Sequence, residues 1–319
     1  MALTEEESSD TVAIMRIILN IQPGPGRLPG AATLALALFL GAPGLVRADV
    51  AASPRLAVEG ELPVARDDSP VEHGKAFTGD ATPIEPGRVE VEIAYAPSWW
   101  ATAGAVDRQA GEQHPVVAAL GIGLLRNLDL RLAVGWAMVH ATAGAPGAPV
   151  HGAGLADTAV AVRWRFLSLA DPAIDLAVTA AVTVPTGTRS TPERLGTGRE
   201  SWSLGGALLA SADWGRLTVG AELGFSAPLA QRASNDVGLL VCNVAVGYQL
   251  FPWLQPEFEL NYQHEVELGE ERDERVLWAT AALVVPIEGV RLLVGGRLPV
   301  WSRDTAAGPM ATASVKLAF

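Results

Sequence analysis

The sequence predicts an all-β fold: a transmembrane up-and-down antiparallel β-barrel of about 12 strands. Three observations carry that reading. Segments of ten or so residues alternate strictly between apolar and polar or small side chains. The connections between them alternate short and long. The chain is 49% hydrophobic and only 18% charged, with a mean hydropathy of +0.25, whereas a soluble domain carries about a quarter charged residues.

The chain begins with a targeting segment, residues 1–48. The apolar run AATLALALFLGAPGL (31–45) is preceded by Arg16 and Arg27 and followed by Val46–Arg47–Ala48, the pattern of a signal peptide cut after Ala48. The acidic EEESSD before Met15 does not suit such a leader, which points to Met15 as the start of translation. Beyond Ala48 no uninterrupted apolar stretch is long enough for a membrane helix, so any membrane crossing must use strands. Residues 49–87 lack a sustained period and carry scattered prolines and acids. They form either a periplasmic tail or a plug-like segment inside the barrel.

The barrel itself is expected over 88–319, with strands near 88–98, 114–125, 128–140, 156–167, 173–184, 200–212, 215–226, 238–250, 253–264, 275–285, 289–300 and 309–319. Arg126–Asn127, the DWG at 213–215 and the FPW at 251–253 are tight turns, whereas 99–113, 141–155, 185–199, 227–237 and 265–274 are long loops. In the first strand Val89, Val91, Ile93 and Tyr95 oppose Glu90, Glu92 and Ala94. With lipid outside and water inside, the carboxylates face the lumen, because charge on the lipid face is costly at mid-membrane. The same rule applied to the other strands makes Glu90, Glu92, Arg131, Arg163, Arg165, Asp175, Glu222, Glu257, Glu259, Arg291, Arg297 and Lys316 the lumen-lining residues. The acids concentrate on strands one, seven and nine and the bases on three, four, eleven and twelve. They either set a transverse field that orients a polar solute or neutralise one another and stiffen a closed lumen. Tyr95, Trp99, Trp202, Phe225, Tyr262, Trp278 and Trp301 fall near the loop ends, and Trp164, Phe166, Trp214, Tyr248, Phe251, Trp253 and Phe319 near the turn ends, as two interfacial belts.

The closing ASVKLAF ends on Phe319, and in this the chain resembles bacterial outer-membrane barrels, whose terminal aromatic is the signal read by the assembly machinery. FTGDATPIEPGRVEVEIAY (77–95), GAGLADTAVAVRWRFL (152–167) and the VPTG at 184–187 resemble the outer-membrane proteins of the MetA-pathway of phenol degradation family. That resemblance implies a transporter-like barrel in the bacterial outer membrane. Its surroundings would be outer-membrane lipids and lipopolysaccharide, and its cargo a small-molecule solute, aromatic or otherwise hydrophobic as the family name suggests.

Other chemistries find little support. An acidic chain with net charge −12 and no basic cluster is unsuited to nucleic acid. One cysteine, Cys242, excludes an intramolecular disulfide, and no motif calls for a cofactor. His114, His140, His151 and His264 gather on the loop side without a metal-binding spacing, so they read as solvated rim residues. The acidic loop 265–275 reads as a solvated loop, with a divalent bridge to lipopolysaccharide phosphate as the sharper alternative. A hydrolase site on the outer wall would need a nucleophile beside His140, and Thr158 is the nearest outward hydroxyl. A channel or transporter is therefore expected, against a closed structural or adhesive barrel and, last, an enzyme.

Overall fold

The computed structural model describes residues 76–101, 110–142, 151–170, 173–191, 195–198, 201–229, 236–267, 274–303 and 307–319. The expected leader, residues 1–48, and residues 49–75 lie outside them. The described chain is all strand: β1 (Val89–Tyr95), β2 (Ser98–Ala101), β3 (Ala110–Leu125), β4 (Leu128–Thr142), β5 (His151–Leu155), β6 (Thr158–Ala170), β7 (Ala173–Val184), β8 (Ser203–Trp214), β9 (Leu217–Pro228), β10 (Asp236–Tyr248), β11 (Gln255–Glu267), β12 (Glu274–Ile287), β13 (Val290–Arg303) and β14 (Met310–Ala318).

Every pairing is antiparallel, and the sheet closes where β1 meets β14, with Glu90 opposite Ala318 and Tyr95 opposite Ala313. Two staves are interrupted. β2 continues β1 between β14 and β3 after a break at Pro97, and β6 continues β5 along β4 after a break at Ala156–Asp157. The fourteen strands therefore build a closed barrel of twelve staves. Closure removes the unpaired edges that lipid would not satisfy.

The predicted strands all appear, with shifted ends. The expected loop 99–113 yields β2 and the first residues of β3, and 141–155 yields the end of β4 and all of β5. Glycine and alanine in β5 and the adjacent tryptophans of β2 weaken the alternation without weakening the ladder, which needs only backbone groups. At two of the tight turns Gly215 and Gly289 adopt positive φ, 62° and 70°, where a Cβ would be strained.

The faces follow the predicted parity. Ile93, Trp136, Phe258, Leu283 and Val315 are exposed on the outer wall, while Asp129, Gln255, Glu257, Asn261 and Thr218 are almost fully buried. This is a soluble protein turned inside out: a polar interior within an apolar shell, the distribution of a membrane barrel. Trp278 departs from its expected place in the aromatic belt. It is buried on the inner face with Thr280 and Ala282, because its position in β12 shares their parity.

Candidate functional site: the lumen and its strap

The lumen is crossed by the chain's own segment before β1. From Phe77 to Ile84 the backbone runs along the inner wall, past β11, β9, β8, β7 and β4, before Gly87, at φ 80°, turns it into β1. Its amides are received by wall side chains rather than by a strand. Phe77 N–H donates to both carboxylate oxygens of Glu259 (3.2 and 3.1 Å), Gly79 N–H to Glu222 (2.8 Å), and Ala81 N–H to Ser211 Oγ (3.0 Å). The period of two is that of an extended segment presenting alternate N–H groups to one side. Farther along, Ile84 N–H donates to Asp129 (3.0 Å) and the Thr82 hydroxyl to Asp175 (3.0 Å). In return, Arg163 Nη1 donates to the Asp80 carbonyl (2.6 Å) and Ser211 Oγ to the Asp80 carboxylate (2.9 Å).

Small wall residues make room for the strap. A Cβ on Gly123 would stand 1.9 Å from the Glu85 carbonyl oxygen, and one on Gly121 would stand 2.4 Å from Ile84 Cδ1. Phe77 lies against the Arg297 guanidinium, 4.4 Å from the ring centre, and Trp278 covers the same cation at 4.3 Å. Arg297 thereby sits between two aromatic faces, and its Nε donates to Met310 Sδ at 2.9 Å.

The lumen-facing acids and bases divide the work. Asp129 binds Arg163 through Nε (2.9 Å) and Nη2. Arg131 lies 3.7 Å from Glu90 and 3.6 Å from Asp129, Lys316 3.5 Å from Glu90, and Arg165 3.3 Å from Asp175. Four of the bases are thus neutralised by neighbouring acids, of which Asp129 and Asp175 also hold the strap, while Glu222 and Glu259 hold its other end. Glu257 is fully buried and accepts from Gln255 Nε2 at 2.9 Å. Glu92 stands opposite Lys316 in the ladder, and Arg291 is buried on the inner face of β13. Phe319 is exposed, with its backbone N–H bonded to the Val89 carbonyl (2.9 Å) where the barrel closes.

Sequence reasoning missed Asp129, Ser211 and Asn243, whose Nδ2 donates to the Phe77 carbonyl (3.3 Å) and to Glu222 (3.0 Å), and it set Trp278 in the belt. Asp129 shares the parity of Arg131, so alternation alone could have found it; Ser211 and Asn243 gain their roles only from the strap. Towards the loop end, Trp278, Arg297, Met310, Gln263, Glu265 and Glu274 line a cavity of about 260 Å³. On the outer wall, Thr158 is hydrogen-bonded to Thr186 (2.8 Å) and His140 to His151 (2.7 Å), so those two residues do not form a nucleophile–base pair.

No family model and no curated protein matches the chain. Among solved structures, the COG4313 outer membrane channel from Pseudomonas putida F1 superposes with a TM-score of 0.64 at 12% identity, covering 77% of this chain and all of that one. The fold is that of an outer-membrane barrel. The translocator domain of autotransporter NalP from Neisseria meningitidis reaches a TM-score of 0.43 at 12% identity, over 73% of this chain and 87% of that one. At these identities the likeness concerns the fold alone.

Proposed function

We propose that the chain is a channel of the bacterial outer membrane, passing small solutes through a lumen narrowed by its own N-terminal strap. The observation that carries this is the way the strap is held: between Phe77 and Ile84 its amides bond to polar wall side chains and not to a neighbouring strand, so each contact can be exchanged for water or a polar solute at a net cost of about 0.5–3 kcal/mol. A segment meant as a permanent core would instead join the sheet ladder. Twelve staves about 4.8 Å apart and tilted near 40° enclose a backbone diameter of roughly 24 Å, a width that the inward side chains and the strap share with the solute path.

The loop-end cavity is the first station on that path. Its mixture of the Trp278 ring, the Met310 thioether and charged groups suits compact solutes with an aromatic or apolar body and a polar end. Phe319 would serve as the assembly signal read by the barrel-assembly machinery, and the belts would seat in lipid and lipopolysaccharide. The reading includes no catalytic role. A closed structural barrel is the alternative, favoured by the ion pairs of Arg163 and Arg165 with Asp129 and Asp175 that fill the turn end. Liposome swelling with a size series of sugars and aromatic acids separates the two: graded, size-limited entry supports the channel, and exclusion of every solute supports the closed barrel.

A further inference from the structure

Three of the four described histidines, and one of the two described methionines, gather in one patch on the outer wall at the loop end. The ladder produces this grouping. Glu112, His140 and His151 stand opposite one another on β3, β4 and β5, and the next outward row sets His114 opposite Met138. These positions share the outward parity of Trp136 and Tyr95, so the patch belongs to the surface and not to the lumen. Together they line an open depression of about 710 Å³. At this rim of the outer wall imidazoles are reachable from water and from ions in it.

The pair at its centre is already arranged as a chelate. His140 and His151 close the β4–β5 hairpin with stacked rings, centres 4.4 Å apart and planes inclined by 28°. Their Nδ1 atoms are only 2.7 Å apart, so the rings converge at the nitrogen edge. Two nitrogens in cis positions on a tetragonal ion, with bonds of about 2.0 Å, stand about 2.8 Å apart. The pair therefore meets that geometry with almost no movement. His114 is engaged elsewhere in the patch, its Nδ1 hydrogen-bonded with the Tyr95 hydroxyl at 2.7 Å and its Nε2 3.6 Å from the Glu112 carboxylate.

We infer that His140 and His151 form a cross-strand, two-imidazole site for a borderline divalent transition metal, Cu(II) in preference to Ni(II) or Zn(II). Among the described residues no three ligating side chains converge, so water completes the shell, with the Glu112 carboxylate and Met138 thioether beside it. Tetragonal nitrogen sites favour Cu(II), and carboxylate-seeking Ca(II) and Mg(II) gain nothing from imidazole. The ion would clip the ends of β4 and β5 together at the cell-surface rim. This site is independent of what passes through the lumen.

The test is titration of Cu(II) into the refolded full chain, followed by calorimetry and by electron paramagnetic resonance, with folding verified by heat-dependent gel mobility. One equivalent is expected, with coupling to two nitrogens. Binding should weaken at least tenfold in His140→Gln and in His151→Gln, remain unchanged in His114→Gln, and resist excess Ca(II). His151→Gln alone decides the matter if His140→Gln does not fold, because the His151 side chain is exposed. Equal affinity in the wild type and in His151→Gln, coupling to a single nitrogen, or absence of binding would overturn the inference.

Discussion

Replacing Glu259 with alanine isolates one end of the strap. Glu259 is buried and accepts from Phe77 N–H, the Thr78 hydroxyl (3.2 Å) and Asn261 Nδ2 (3.0 Å). Hydrogen bonds to a charged acceptor are worth about 1.5–3 kcal/mol each, so two lost strap contacts amount to about 3 kcal/mol at the low end. That is roughly a 100-fold shift between docked and released states. The low end applies because the polar wall lets water replace part of what is lost. Hydrogen exchange in detergent would read the effect amide by amide. Phe77 and Thr78 should exchange roughly 100-fold faster, and Glu259→Gln, which keeps one acceptor oxygen, should fall between. Ile84, held separately by Asp129, should change by no more than about twofold. Uniform acceleration from 77 to 84, or no change at Phe77, would refute the picture of independent anchors.

Gly123→Val should expel the turn at Glu85 from the wall, since a Cβ there falls 1.9 Å from its carbonyl oxygen; trypsin access to Arg88 is the readout. Asp129→Ala leaves the buried Arg163 guanidinium without its carboxylate and should cost about 3–5 kcal/mol in urea unfolding from lipid, with Asp129→Ala/Arg163→Ala less damaging than the single change. Arg297→Leu keeps much of the volume but removes the cation between Phe77 and Trp278, a loss of about 0.5–2 kcal/mol, and Trp278 fluorescence should report the change.

Much of the barrel was legible because a membrane enforces period two: charge facing lipid is expensive, so Glu90, Arg163, Glu257 and Glu259 betray the inner face directly. Loop rhythm supplied the rest of the topology. The breaks at Pro97 and Ala156–Asp157 were not legible, since alternation resumes on each side. Trp278 was misplaced because a tryptophan near a strand end resembles a belt residue; the parity of Thr280 was the better guide. Hidden most completely was the partner of the inner face. Alternation shows that Glu222 and Glu259 point inward, but only the path of 77–84 shows that they receive backbone amides and not solute or salt. Pairing of Arg131, Arg163, Arg165 and Lys316 with Glu90, Asp129 and Asp175 accords with local neutralisation, one of the two readings the charges allowed, more than with a transverse field.

Planar-bilayer conductance tests the central claim most directly, comparing the mature chain with one lacking residues 49–80, both verified as folded by heat-dependent gel mobility. A strap that narrows a solute path predicts discrete steps from the full chain and larger steps after truncation. Silence from both would contradict the channel, and equal steps from both would contradict the strap as its constriction.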